Sequence, residues 1–397
     1  MLSKEEIKKL VQSVMPDVCA MRRHIHENPE LSNEEVQTAA YMAEKLRSFG
    51  IDVKEKVNGT TAVIGTLKGG KPGPVIGLRA DMDALPITEE TGLPFASKTP
   101  GKMHACGHDG HMSILLGAAE VLSKIKDQLA GTVLFVCQPA EEKSPLGGAK
   151  KLVASGVLDG MDAMFGLHVW PTLPTGKIGV LPGPMMAASD HIRIVLHGKG
   201  SHAAMPHRGI DAIVAAAQFI LSAQTIISRR VNPLYPAVLT FGKIMGGTRY
   251  NVVPDTVELE GTCRTYQAEA QDTVEKCLQE ALQGLDTMYG TTSELFYERG
   301  YAAVRNTPQQ AAFVANVAKD CFGPDIIAAV SEPAMTAEDY SGYQQKYDAA
   351  FYWLGATKPG APVYPLHSEH FAVDEDCLPI GVELMAALVL AKMQEKA

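Results

Sequence analysis

Apolar and polar positions along the chain fall into three stretches of different rhythm. The first fifty residues carry helical spacing and predict two helices, Lys4 to about His26 and Asn33 to Phe49. Between them Asn28-Pro29-Glu30-Leu31-Ser32 breaks the first helix, Ser32 with Glu35 three residues on reads as a cap for the second, and Gly50 closes it. Short β-rich runs follow at Thr61 to Leu67 and Val75 to Arg79. Helix Gly110 to Lys126, strand Gly131 to Gln138, helix Ala149 to Ala154 and strand Ala163 to His168 then alternate. That alternation predicts an α/β fold whose mostly parallel sheet is flanked by helices.

The rhythm changes after Gly183-Pro184. Strand Ile192 to His197, helix Ile210 to Ser228, strands Ala237 to Ile244 and Thr256 to Cys263, helix Glu269 to Tyr289 and strand Ser293 to Tyr297 read β-α-β-β-α-β. This is the ferredoxin-like, split βαβ order of a compact α+β domain. The α/β pattern resumes with helix Pro308 to Cys321, strand Ile326 to Val330, helix Glu338 to Gln345, strand Ala350 to Leu354 and a closing helix from Asp376 to Lys396. The expected organisation is one α/β domain in two parts, 1–186 and 301–397, sharing a sheet, with the α+β domain inserted at 187–300.

Composition narrows the function. The 397 residues carry 36 basic and 45 acidic side chains, a formal charge of -9, so no basic footprint for nucleic acid or an anionic membrane is present. The opening residues lack the apolar core of a signal peptide, and no charge-free apolar run reaches about 18 residues. Seven cysteines, an odd and scattered set, suit reduced thiols. The expectation is a soluble, cytoplasmic protein.

The chemistry gathers at the ends of predicted strands, where ligands sit in open α/β sheets. Residues 104 to 111 read His-Ala-Cys-Gly-His-Asp-Gly-His at the start of a helix. A helix N-terminus lowers a thiol pKa, and a thiolate among imidazoles suits zinc, manganese, cobalt or nickel. The bland alternative is a glycine-rich turn with solvated histidines. Gln138-Pro139-Ala140-Glu141-Glu142 follows the apolar run Val133 to Cys137. Adjacent carboxylates leave a strand in opposite directions, so one can ligate metal while the other serves as general base, although such pairs are also common on solvated surfaces. His168 ends another apolar strand, and His367 lies in Pro365-Leu366-His367-Ser368-Glu369-His370; either alone reads as a structural histidine. Convergence of His, Glu and Cys from separate strand and loop ends favours a catalytic metal site.

Together with Asp81-Met82-Asp83-Ala84-Leu85-Pro86 and Gly200-Ser201-His202-Ala203-Ala204-Met205-Pro206-His207, these motifs resemble the two-metal amidohydrolases of the aminoacylase and carboxypeptidase superfamily. The resemblance is to the branch of hippurate hydrolases, auxin-conjugate hydrolases and N-acyl-amino-acid deacylases, and it spans nearly the whole chain. It implies a site for two divalent metal ions held by Cys106, His108, Glu142, His168 and His367, with Cys106 bridging. The wider superfamily has a bridging aspartate and a histidine where this chain has Asp81, which leaves the metal open among zinc, manganese, cobalt and nickel. Glu141 is then the general base, Asp83 the residue orienting a ligating histidine, and His202 an oxyanion donor reaching a neighbouring subunit's site. Asn251 and Arg264 resemble the residues holding the substrate and its carboxylate, a task that suits the planar guanidinium.

The resemblance further implies hydrolysis of an N-acyl amino acid, or of a dipeptide by a dipeptidase or carboxypeptidase, in a homodimer formed through the inserted lid domain. Two readings of other classes remain: Cys106 as a nucleophile, as in thiol hydrolases, and a non-catalytic binding protein.

Overall fold

Val11, Val14, Val18, Met21 and Ile25 recur at three- and four-residue spacing, so the first helix turns one apolar stripe inward. The computed structural model describes residues 4–395. This helix, α1 (Lys4–Glu27), is followed by α2 (Val36–Ser48), β1 (Asp52–Glu55), β2 (Val63–Lys68) and β3 (Lys71–Asp81). Next come α3 (His108–Lys124), β4 (Ala130–Gln138), α4 (Ala149–Ala154), β5 (Ala163–Pro174), β6 (Ile178–Gly179) and β7 (Gly183–Met186). The middle of the chain forms β8 (Ala188–His197), β9 (Ser201–His202), α5 (Ala212–Thr225), β10 (Ala237–Gly246), β11 (Val252–Val253), β12 (Thr256–Thr265), α6 (Ala268–Tyr289) and β13 (Thr292–Tyr301). β14 (Val304–Asn306), α7 (Pro308–Phe322), α8 (Ser341–Gln344), β15 (Ala349–Thr357) and α9 (Leu378–Glu395) complete it.

The described chain divides into two compact units. The larger holds the residues up to Met185, Arg305–Pro333 and those from Asp339 on; the smaller holds Met186–Val304 and Ala334–Glu338. In the larger unit the described strands of the main sheet run β1-β2-β4-β3-β5-β15-β6. β4, β3, β5 and β15 are mutually parallel, whereas β2, β1 and β6 join antiparallel at the margins. Central parallel strands are covered on both faces and read as continuous apolar runs. Accordingly Val133 to Gln138 of β4 and Ala349 to Ala356 of β15 are buried without a break. Register pairs Asp81 with Gln138 and Arg79 with Gly166, so Asp81, Gln138 and His168 lie level across three neighbouring strands.

The smaller unit has an antiparallel sheet in the order β10-β12-β8-β13, with α5 and α6 packed on one face over Ile192, Ile194 and Leu196. Ala212–Arg230 is long and apolar enough to cross a bilayer by length and composition. Here Ala212, Ala215, Ala216, Phe219 and Ala223 of that stretch join the unit's own core.

Three local expectations are corrected. The second helix begins at Val36 rather than Asn33, and Ser32 and Glu35 form no capping box, because both side chains are drawn to loops elsewhere: Ser32 to Asp83 and Glu35 to Ala140 and Thr61. Ile326 to Val330 is not a strand. Only Ile326 of this run is buried, and at the sheet margin the run finds a single bridge to the two-residue β6. The helix expected from Glu338 shortens to Ser341–Gln344, since the Asp339 carboxylate turns inward to Arg79 and Gln138.

Charge also ties α1 to α3. Arg22 Nε donates to Asp109 Oδ2 at 2.8 Å, and His26 lies 2.8 Å from the same oxygen and 3.1 Å from Glu89. Burial works against an imidazolium at His26, but Asp109 and Glu89 outweigh it and raise the group to about 9. The folded value exceeds the unfolded one, so this stabilisation is complete below about pH 6.5 and is lost as pH rises through about 9. The free-energy advantage of the native chain over His26→Gln in urea unfolding is therefore expected to shrink by up to about 3 kcal/mol between about pH 6 and about pH 9.5. An advantage independent of pH would contradict a charged His26.

Candidate metal centre

Gly107 turns the chain from the loop into α3 at φ +83°, and a Cβ there would stand 2.4 Å from Val169 Cγ2. Only glycine meets both demands. The turn sets Cys106 and His108 among side chains from β5, the β4 exit and the 367 loop. Donor atoms of Cys106, His108 and His168 lie within 4.8 Å of one another, as do those of Cys106, Glu142 and His367, and those of His108, Glu141 and Glu142. Cys106 belongs to the first two groups and His108 to the first and third, so the five expected ligands and Glu141 form one cluster.

Neighbours fix which ring nitrogens face inward. His108 Nδ1 donates to the Asp83 main-chain oxygen at 2.8 Å and His168 Nδ1 to that of Val169 at 2.6 Å, leaving each Nε2 for a cation. His168 Nε2 lies 3.3 Å from Cys106 Sγ. His108 Nε2 and Glu142 Oε1 are buried without a hydrogen-bond partner among the described residues, although His367 Nε2 comes within 3.1 Å of that oxygen. Buried polar atoms normally find partners. An unsatisfied imidazole nitrogen and carboxylate oxygen converging beside a thiol and a second imidazole fit divalent metal. His111, despite its place in the motif, is spent: Nδ1 bonds Asp81 at 2.7 Å and Nε2 accepts from Val169 N at 2.8 Å.

Electrostatics point the same way. The helix start does not lower the Cys106 thiol as expected; burial, with Glu142 and Glu141 adding, holds it well above its usual range. Burial opposes charge on His108, but Asp81, Asp83 and Glu142 lift it to about 10. His168 is held well below its usual value by burial and by His111. An excess of buried negative charge is the surrounding that a divalent cation neutralises, inverting the local pKa order.

The glutamate pair is presented by a bent backbone. Ala140 adopts φ +56°, a left-handed conformation that costs a non-glycine residue on the order of 1 kcal/mol. Its amide is anchored by Glu35 Oε1 at 2.8 Å. The next two amides, of Glu141 and Glu142, donate to the two Asp83 carboxylate oxygens at 3.1 and 3.0 Å, and Ser32 Oγ donates to Asp83 at 2.6 Å. The Asp339 amide reaches Glu141 Oε1 at 3.4 Å, and the Asp339 carboxylate accepts from Arg79, Gln138 and the Ala149 amide, each at 2.9 Å. Sequence reasoning missed Glu35, Arg79 and Asp339 as supports. Arg79 offered the one signal, an arginine inside an otherwise apolar strand, where burial demands ionic partners. His367 also has positive φ, +66°, and at 51% is the most exposed of the five.

The other candidates lie in the smaller unit. His202 pairs with Val252 in the β9–β11 ribbon beside Asn251, over a depression of about 600 Å³. Within it Asn251 Oδ1 and Ser201 Oγ are buried and lack a hydrogen-bond partner among the described residues. Arg264 is not brought to them. It pairs with Ser189 near the far end of β12, about 26 Å of strand from Thr256, and its guanidinium donates to Thr262 and to the Cys263 main-chain oxygen.

The chain belongs to peptidase family M20/M25/M40, which it matches over residues 77–391. It is 46% identical over 306 residues to an N-acyl-L-amino acid amidohydrolase of Geobacillus stearothermophilus, covering 77% of this chain and 82% of that one. It is 39% identical over 395 residues to thermostable carboxypeptidase 2 of Saccharolobus solfataricus, covering 99% of each. The crystal structure of a dinuclear metal-binding M20 peptidase of Bacillus subtilis superposes with a TM-score of 0.83 at 36% identity, covering 96% of this chain and 99% of that one. The protein is a metal-dependent hydrolase acting on amide bonds, and the side chains clustered around Cys106 are of the types that bind divalent metal.

Gly107→Ala is expected to lower the urea midpoint by the equivalent of about 2 kcal/mol or more, from positive-φ strain and the clash with Val169. Native stability in that variant would contradict the steric argument.

Proposed function

We propose that the protein hydrolyses N-acyl-L-amino acids, with acetyl, benzoyl or similar acyl groups, to a carboxylate and a free amino acid. The observation that carries this is the meeting of Cys106, His108, Glu142, His168 and His367 beside Glu141. The amidohydrolase relative supports the substrate class. Cys106, His108, Glu142, His168 and His367 would hold two divalent ions, zinc, manganese, cobalt or nickel, which would supply an acidified water and polarisation of the scissile carbonyl. Glu141 accepts the proton as the water oxygen adds to the carbonyl carbon, then delivers it to nitrogen as the C–N bond breaks. Asp83 keeps Glu141, Glu142 and His108 in register through the hydrogen bonds described above. The second reading, a dipeptidase or carboxypeptidase, is favoured by the carboxypeptidase relative, which is similar over the full chain. Cleavage of dipeptides in preference to acyl amino acids would select it.

His202 and Asn251 act, in this reading, on the oxyanion and substrate of a neighbouring subunit, and Arg264 on the substrate carboxylate. The span of β12 between the two groups supports a division of labour between chains. The smaller unit serves as lid and dimerisation domain. Its edge strand β10 and helix α5 expose Val238, Ile244, Met245, Ile213, Val214 and Leu221, apolar area suited to a second copy. Cytoplasmic residence completes the reading and suits seven free thiols.

Glu141→Gln is expected to keep its metal by elemental analysis while kcat falls about 100-fold to 10,000-fold. An active, metal-loaded variant would refute the base. Chelation should abolish turnover and added metal restore it; activity surviving complete metal removal, yet lost to a thiol alkylator, would turn Cys106 from ligand into nucleophile. Mixing His202→Ala with Glu141→Gln chains should recover activity above either parent through hybrid dimers. No recovery in proven hybrids would place His202 in its own subunit's chemistry or outside it.

A further inference from the structure

The larger unit has a second hollow, at the opposite end of its strands from the metal ligands. It encloses about 640 Å³ between the start of α1, the end of α7, α9 and the first residues of β3 and β4. Its wall is mostly apolar, with Ile7, Ile125, Leu129, Val317 and Leu390 contributing. β4 runs from Ala130 in this wall to Gln138 beside the cluster, so about 26 Å of strand separates the two sites. A substrate held at one cannot extend to the other.

Of the charged and amide side chains in the lining, Lys4, Lys71, Gln128, Asp320 and Gln394 are exposed and Glu383 alone is buried. Glu383 on α9 is 8% exposed, and its carboxylate has no hydrogen bond or ion pair among the described residues. A glutamate this buried is ordinarily paired. Burial pushes its pKa up, with Lys8 opposing and Glu5 adding. The rim lysine Lys4 does not supply the missing partner: it is 68% exposed and donates to the Asp320 main-chain oxygen at 2.8 Å.

We propose that this hollow binds an amphiphilic ammonium compound, with its aliphatic body against the wall and its cationic head on Glu383. Charge complementarity at Glu383 selects the head group, since the lysines of the lining, Lys4 and Lys71, are solvent-exposed. A fatty acid would set its tail against the Glu383 carboxylate, whereas an ammonium gains a charge-assisted hydrogen bond in apolar surroundings. Binding makes and breaks no covalent bond.

The test titrates n-octylamine and octanoate into the metal-loaded, full-length protein, followed by calorimetry and thermal unfolding. Expected is saturable binding of one octylamine per chain that raises Tm and is weakened about tenfold or more in Glu383→Gln. Ala387→Trp, which fills the hollow, should block it, and Glu383→Gln should leave kcat for amide hydrolysis unchanged. Octylamine binding Glu383→Gln or Ala387→Trp as tightly as the native chain, octanoate binding as tightly as octylamine, or no saturable octylamine binding would each overturn the proposal.

Discussion

The carboxylate of Asp83 is the fastening on which the centre depends. It collects the amides of Glu141 and Glu142 and the hydroxyl of Ser32, while its own main-chain oxygen sets the tautomer of His108. One residue at the exit of β3 thereby fixes the exit of β4, the first turn of α3 and the loop before α2. Hydrogen bonds to a carboxylate are worth roughly twice neutral ones, and a shared, buried acceptor makes their loss cooperative. Burial raises the cost of the charge, but His108 and Ser32 together with the amides keep its pKa below the usual range.

Around this fastening the larger sheet acts as a rigid edge. Asp81, Gln138 and His168 stand level because β4, β3 and β5 are parallel and in fixed register, and the loops that leave this edge bring Cys106 and Glu142 beside His168 and His367. Arg79 and Asp339 form a deeper layer that neutralises Asp81 and anchors the amide facing Glu141. Each charge in this layer is paired, which is the condition for burying it.

Much of the architecture was legible in the sequence, because it follows from apolar periodicity: the alternation of helices and strands in the larger unit and the β-α-β-β-α-β order of the smaller one. The Cys-Gly-His run, the Glu pair and the strand-end histidines were legible as chemistry because they break apolar runs. What stayed hidden shares one physical cause. Ser32 and Glu35 have the spacing of a helix cap, yet tertiary hydrogen bonds to Asp83 and Ala140 outbid the local one. Asp339 has the look of a helix start until the buried Arg79 claims it. The apolar run at Ile326 lacks a neighbouring strand long enough to pair with. Local pattern predicts local bonds, whereas Ser32, Glu35 and Asp339 are used by distant residues and the Ile326 run is left without a full partner strand.

The positive φ at Ala140 carries a consequence beyond the bend itself. A strand that continued straight would alternate its side chains and send Glu141 and Glu142 to opposite faces of the sheet. The strand ends at Gln138, the chain bends at left-handed Ala140, and Glu141 and Glu142 lie in a turn, so both carboxylates reach the same cluster as His108. Leaving strand geometry at this point, at the conformational cost of one left-handed alanine, makes two consecutive acids usable together.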